Sequence, residues 1–479
     1  MTSHPLRVLQ VSNRPRFGGV GIYTDSLSRE LAELGVEVGW FYVGEYDPWL
    51  VPHLKRSISD DGIRCYALRN CPNLHVATGV FNHPADEMKQ TSIEAHFGKV
   101  LDEFSPDIVH FQDLGGLCAS LIEMASERSI CTVTTLNNYW SICAQMTLVY
   151  SGDGDICAGP NGGRNCARCI TYSSASSRKK RLALSAQPLK RTPVCAYLYE
   201  KLGKPMFLHF YRRYLESRES SAEASDEQAT PCLSALFGER EKYNRYLLSQ
   251  KVTINIAVAS FVKELFVQWG VPSDRLIVQS IGTRAAEFLR PTPRAPRAPL
   301  TFGYIGILAP QKGAHVLIEA YNRVVGSDTR LLIYGEGPSR YANNLENSIR
   351  RPGVEFRGAY HYEDLPKILS EMDALVVPPV WYDNGPQVVF EGLSAGVPVI
   401  GARIGGIPDF VRDGENGLLF EPGDATELGR KLSMLVAQPS LLNRYRANAH
   451  STKTIGENAN ELVSLYQSLL SSGCATHKD

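Results

Sequence analysis

The sequence predicts an α/β fold with two doubly wound parallel-sheet domains in tandem, and three observations carry that prediction. Short runs rich in Val, Ile and Leu alternate with helix-length segments, the alternation stops mid-chain, and it starts again after a proline-rich stretch. The 479 residues exceed one ordinary core, so two to three domains are expected.

In the first series the strand-like runs fall at 6–12 (LRVLQVS), 37–43 (EVGWFYV), 107–112 (DIVHFQ) and 131–136 (CTVTTL). The helical segments between them are the crossovers that parallel strands require. Between about 140 and 250 the alternation fails, first in a Gly- and Cys-rich loop region and then in long helical stretches. This reads as an insertion in a first domain that resumes at "NIAVASFVKELF" and "RLIVQSIG" and extends over 1–289. The stretch "RPTPRAPRAP", Arg290 to Pro299, is by composition a stiff extended linker that marks the boundary. A second series, at 300–308, 330–334, 353–356, 373–378 and 397–402, defines a second domain over 300–450. A last helix and tail, 451–479, is placed to pack back on the first domain.

With 50 basic and 50 acidic residues, 43% hydrophobic and 21% charged content, the chain has the balance of a globular protein and no nucleic-acid signature. The start "MTSHPLRVLQVSNRPRFGG" lacks a signal-like apolar core, and no apolar run nears the roughly 18 residues of a membrane span. The expectation is a cytoplasmic monomer or dimer. The basic runs Arg178–Arg181, Lys190-Arg191 and Arg212-Arg213 suggest either peripheral contact at the inner face of a membrane or a solvated helix face, since acids at 216–227 offset part of the charge.

The chemistry concentrates in "VWYDNGPQVVFEGLSAGVPVIG", Val380 to Gly401. It begins where the strand 373–378 ends, so Trp381 to Gln387 form a loop at a strand's carboxyl end, where open α/β sheets bind ligands. Pro386 suits the first turn of the next helix, with Asn384 or Gly385 as its cap, and Gly396 and Pro398 stop it. Free amides at such a helix start suit a phosphate. Glu391 is spaced to lean back and accept two hydroxyl hydrogen bonds, and Asp383 lies in the loop ahead; the plainer readings are a solvated helix carboxylate and a cap. Lys312 in "PQKGAH" also follows a strand, as a phosphate ligand or a surface charge. Gly18-Gly19 in "RFGGVGIY" open the first helix, either for close backbone approach to a ligand or as a simple tight turn.

The four thiols Cys143, Cys157, Cys166 and Cys169 occupy a Gly-rich loop ending in C-x2-C. A structural zinc is expected there, with free thiols, disulfides or an Fe–S cluster as alternatives.

The Asp383-x7-Glu391 pair, "GLSAGVPVIGARIGGIPDFVRDGENGLLFEPGD", "GYIGILAPQKGAHVLIEAY" and "LLIYGEGP" together resemble the GT4 family of GT-B glycosyltransferases, over nearly all of 300–437 and more loosely over the first 140 residues. The resemblance implies two Rossmann-like domains with a cleft between them and a nucleotide sugar as substrate. It implies that Glu391 binds the donor ribose, Asp383 the sugar hydroxyls, and Lys312 with the amides of Asn384, Gly385, Pro386 and Gln387 the diphosphate, Pro386 lending only its position. Gly18, Gly19, Gly306, Gly405 and Gly406 match the family's donor-facing loops. Retention of configuration without a divalent metal at the diphosphate is also implied; a lysine, a helix dipole and a glycine loop neutralise the leaving group instead. A subset of these enzymes resembles the chain in the Cys-rich insertion too.

Three positions depart from the family pattern. Ile307 stands where many relatives carry an arginine, a loss on the order of 1.5 to 3 kcal/mol of charged hydrogen bonding. Gln112 and Asn137 stand on the acceptor side where relatives often carry histidines, and neither titrates near pH 7. His110 persists and, by strand alternation, points to the sheet interior. A non-catalytic nucleotide-sugar-binding module and a nucleotide-sugar epimerase are the alternatives to a transferase.

Overall fold

A computed structural model of the chain describes residues 4–13, 18–47, 51–74, 81–150, 154–170, 226–291, 295–324, 328–449 and 452–473. The chain forms two α/β domains, each built on one sheet. The first sheet holds β1 (Arg7–Ser12), β2 (Glu37–Val43), β3 (His53–Ile58), β4 (Arg64–Arg69), β5 (Ile108–Phe111), β6 (Cys131–Leu136), β7 (Ile254–Ala257) and β8 (Leu276–Val278). Their spatial order is β3-β4-β2-β1-β5-β6-β7-β8, parallel except for the antiparallel β3–β4 pair at one edge.

The second sheet holds β9 (Leu300–Ile305), β10 (Thr329–Tyr334), β11 (Val354–Gly358), β12 (Ala374–Val377), β13 (Val399–Ala402) and β14 (Gly417–Phe420). Its order is β11-β10-β9-β12-β13-β14, parallel throughout. Helices cover both faces of each sheet, so the central strands β5, β6, β9, β12 and β13 are buried at every position; β12 (ALVV) and β13 (VIGA) are wholly apolar, while β5 carries His110 and β6 three threonines.

Strand order reverses twice. β1 is flanked by β2 on one side and β5 on the other, and β9 is flanked by β10 and β12. The crevice outside the carboxyl ends at such a switch point is where ligands bind in open parallel sheets. Lys312 and Asp383 follow β9 and β12; Gly18 and Gln112 follow β1 and β5.

The helix Ile455–Ser471 starts on a capping box between Thr454 and Glu457. It returns to the first domain, where Ile455, Ala459, Leu462 and Tyr466 share a core with Tyr23, Leu27 and Leu31 of the helix Gly18–Glu33. Of the mid-chain segment, the helix Asp226–Tyr246 is described and the basic runs Arg178–Arg181, Lys190-Arg191 and Arg212-Arg213 lie outside the described residues. Among the described residues no helix is long and apolar enough to cross a membrane.

That mid-chain helix is pinned by a buried ion pair. The Arg240 Nε lies 2.5 Å from Glu87 Oε2, and its Nη2 donates to the Trp140 carbonyl at 2.5 Å. Both side chains are nearly inaccessible, at 7% and 12%. Burial outweighs the arginine and holds the Glu87 carboxyl above its usual range. Removing one partner strands a charge in the interior. Arg240→Met alone should therefore cost about 3–5 kcal/mol in urea unfolding, and adding Glu87→Gln should recover much of that loss.

Candidate functional site

The loop after β12 is the centre of the site. Its Asp383 is 8% exposed, and its carboxylate takes the Lys312 ammonium at 2.5 Å. The same ammonium sits 4.9 Å from the centroid of the Trp381 ring, a cation–π contact. Asp383 thus pairs with the lysine from the next strand end instead of capping the helix. Lys312 owes its place to Gly313, whose φ of +72 turns the chain against β12; a Cβ there would lie 1.7 Å from the Pro378 carbonyl oxygen.

The helix begins at Gln387, one residue later than expected, with Pro386 as its N-cap at φ −66. Gly396, in the left-handed region at φ +70, follows its end. Gly405 and Gly406 run directly beneath the loop. The Gly406 N–H donates to the Asp383 carbonyl at 2.8 Å, and a Cβ on Gly405 or Gly406 would lie 2.2 Å from the oxygen of Asp383 or 2.1 Å from that of Asn384. These glycines serve close backbone approach, a requirement the structure makes explicit.

From the other side the first domain closes on the same loop. The Asn384 amide donates to the Leu136 carbonyl at 3.1 Å, and the Tyr139 hydroxyl donates to the Tyr382 carbonyl at 3.0 Å. The Ser260 amide, at the start of the helix Ser260–Gln268, donates to the Asp409 carboxylate at 2.5 Å. Asn137, next to Leu136, is therefore brought to the loop that bears Asp383, and its amide donates to the carbonyl and side chain of Gln112 at 3.2 and 3.0 Å.

Glu391 is buried, at 5% exposure, and is not a solvated helix residue. Burial alone pushes its carboxyl up to about 7, and Tyr360 and Tyr362, after β11, feel its charge. His110 is fully buried and its pKa is pushed down to about 3 by burial, so the ring is neutral at ordinary pH. Gly18 and Gly19 open the helix Gly18–Glu33 with free space where a Cβ would stand, and residues 14–17 before them lie outside the described residues. Gly306 follows β9 and bonds to the Tyr334 carbonyl at 3.0 Å. Ile307 is 65% exposed at the rim.

Sequence reasoning missed Asp113. It follows β5, is 1% exposed, and accepts from the Asn13 amide and from the Gly115 N–H at 2.8 Å, which ties the carboxyl ends of β1 and β5 together. Burial raises its carboxyl to about 6. The strand-end rule that selected Lys312 and Asp383 also applies to it.

The expected zinc is not supported. Among the described residues no three His, Cys, Asp or Glu side chains converge as a metal-ligand set, Cys143, Cys157, Cys166 and Cys169 included. The thiols have local partners instead: Cys157 reaches the Gly159 carbonyl at 3.4 Å, and Cys169 takes the Gln145 amide at 2.5 Å. Burial, with the other three cysteines nearby, pushes the Cys166 thiol up to about 12.

Comparison with known proteins agrees with this geometry. Residues 299–438 match the family described as Glycosyl transferases group 1, and residues 17–175 match Glycosyltransferase Family 4. The chain belongs to these GT-B glycosyltransferases. The lipopolysaccharide core biosynthesis glycosyltransferase LpsE of Rhizobium meliloti is 33% identical over 171 residues, 35% of this chain and 48% of that protein. A GDP-mannose-dependent alpha-mannosyltransferase of Corynebacterium glutamicum is 36% identical over 125 residues, 26% of this chain and 28% of that protein. The chain thus spans about half or less of the length of these relatives. Among solved structures, Anabaena HepE in complex with UDP and glucose matches with a TM-score of 0.57 at 13% identity, over 97% of this chain and 99% of that one. Sucrose-phosphate synthase from Thermosynechococcus elongatus matches with a TM-score of 0.59 at 16% identity, over 98% and 100%. At those identities the likeness concerns the fold.

The Glu391 carboxyl generates a pH prediction that needs no ligand. Its folded pKa of about 7 lies above the ordinary 4.5, so the unfolded chain gives up this proton first. The contribution to stability is full below about pH 4.5 and is lost as pH rises through 7, a difference on the order of 3 kcal/mol. Glu391→Gln stays neutral, so urea unfolding should find it more stable than wild type at pH 8 and equal to it at pH 4.

Proposed function

We propose that the chain transfers a sugar from a nucleoside diphosphate sugar to a hydroxyl of a glycan, lipid-linked glycan or small-molecule acceptor, with retention of configuration. The observation that carries this reading is the contact of Asn384 with Leu136. It sets the loop bearing Asp383 against the strand end bearing Asn137, so a donor on one domain has an acceptor surface beside it.

In this reading Glu391 accepts hydrogen bonds from the ribose hydroxyls and Asp383 from those of the transferred sugar. Lys312 leaves Asp383 for the diphosphate, whose remaining charge meets the amides at the start of the helix Gln387–Ser394. The acceptor oxygen bonds to the anomeric carbon on the face from which the diphosphate departs. The bond to the phosphate oxygen breaks, and that oxygen takes the acceptor's proton. A titrating base is then unnecessary, which suits the neutral Gln112 and Asn137. Lys312 and the amides supply the charge stabilisation here, so EDTA should leave turnover unchanged.

The deciding experiment is the melting temperature of the full chain with UDP, GDP, ADP and CMP, free and as sugar conjugates. A ligand at one hundred times its Kd adds about 2.7 kcal/mol. One base is expected to stabilise wild type and to lose most of that effect in Glu391→Gln. Stabilisation by none of them would sink the reading; binding without turnover in an acceptor screen would favour a non-catalytic module.

Affinity should also follow pH. The hydroxyl hydrogen bonds require the ionised carboxylate, and Glu391 gives up its proton near pH 7. The nucleotide Kd should be about tenfold weaker at pH 6 than at pH 8, while Glu391→Gln binds weakly at both. Donor binding that draws Lys312 from the Trp381 face should change the tryptophan emission, and Trp381→Phe should abolish that change.

A further inference from the structure

One face of the first sheet changes character along its strands. At the amino end Val8, Ile108 and Cys131 lie side by side, and the next level is Gln10, His110 and Val133. Two-residue alternation puts Ser12, Gln112 and Thr135 above them, toward the cleft. The helices Gly18–Glu33 and Ile455–Ser471 cover this face, so polar side chains in it must find partners among themselves.

They form a chain that starts on the last helix. Tyr466 is fully buried, with its hydroxyl 2.6 Å from His110 Nδ1 and the two rings edge to face at 82°. His110 Nε2 lies 2.7 Å from the Thr135 hydroxyl, so both ring nitrogens are engaged and the ring cannot turn without breaking a bond. The Gln112 amide nitrogen lies 3.3 and 3.2 Å from the two ring nitrogens, too evenly to be aimed at one lone pair, and donates to Gln10 Oε1 at 3.1 Å. The Gln112 side-chain oxygen then holds the Asn137 amide at 3.0 Å.

We propose that Tyr466 is a positioning residue for the acceptor side: it fixes the His110 ring, against which the Gln112 amide rests, and Gln112 holds Asn137 at the cleft. The proposal builds on the reading of Gln112 and Asn137 as acceptor-side residues. A segment some 330 residues away in sequence thereby sets the geometry beside the reacting carbon, as the separations of 356 between Tyr466 and His110 and of 25 between Asn137 and Gln112 imply.

A matched pair of variants tests it. Tyr466→Phe deletes one hydroxyl and keeps the ring. Tyr23→Phe is the control, because the Tyr23 hydroxyl anchors the same helix through Asn458 at 2.8 Å without entering the chain. Hydrolysis of UDP-glucose, GDP-mannose and ADP-glucose by the full chain is followed with water as acceptor, together with donor Kd, Tm and the 15N resonances of the histidine rings. The expected result is a kcat lowered about three- to tenfold in Tyr466→Phe with donor Kd unchanged. The His110 ring signals should move in that variant alone, and Tyr23→Phe should lower Tm comparably yet keep kcat. Equal kcat losses in both variants, or an unchanged kcat in Tyr466→Phe, would overturn the proposal. A wild type that binds or hydrolyses none of the three donors overturns the transferase reading itself and this proposal with it, an outcome recognisable because the loss is already present before any substitution.

Discussion

The site depends on a clamp around a loop with no regular structure of its own. Asp383 and Asn384 have carbonyls so close to Gly405 and Gly406 that no larger residue fits, and Tyr382 and Asn384 are bonded from the other side by Tyr139 and Leu136. A surface loop between a strand and a helix would otherwise pay conformational entropy for each ordered residue, about 1–2 kcal/mol for the backbone. Here that cost is offset by contacts made with two domains at once. Because the loop is fixed, Asp383 can hold Lys312 at 2.5 Å, and the helix behind the loop points its start in one direction.

Much of the framework was legible in the sequence, because buried strands are written as short runs rich in β-branched and other apolar residues. β1, β2, β5, β6 and β9 to β13 all stand where those runs stand. β3 was not legible: "HLKRSI" is an edge strand with four exposed positions, so no apolar alternation marks it. β14, "GLLF", is only four residues long and lies among turn residues. At the site, Asp383, Glu391 and Lys312 could be picked out from strand and helix ends. The burial of Glu391 and the partners of Asp113 could not, because both depend on residues distant in the chain. The zinc expected at the cysteines is not supported for a related reason: spacing in sequence does not fix whether four sulfurs meet in a ligand set, and among the described residues none is formed.

Burial also biases the charges around the cleft. Glu391 and Asp113 are held at about 7 and about 6, and His110 at about 3, so each leans toward its neutral form. The Lys312 ammonium and the Asp383 carboxylate lie against each other at 2.5 Å. Under the proposed reading, a diphosphate would meet a cation, helix amides and few competing anions. This ordering follows from desolvation, which disfavours any isolated charge, more than from a particular arrangement of opposite charges.

The departures from the family pattern fit the same logic. A histidine at 112 or 137 would bring a titrating group into a face where the neutral His110 ring already bonds Tyr466 through one nitrogen and Thr135 through the other, one as donor and one as acceptor. Gln112 and Asn137 instead bond Gln10 and each other through amide donors and acceptors that do not change with pH. Their geometry is then set by packing, and ultimately by the helix Ile455–Ser471 that closes the face. Ile307 is different: its side chain is exposed, and its backbone carbonyl accepts from the Tyr304 hydroxyl at 3.0 Å and from the Ala309 N–H at 3.0 Å. In the proposed reading, the donor side thus relies on one lysine held by a glycine turn, while the acceptor side is a network of neutral hydrogen bonds.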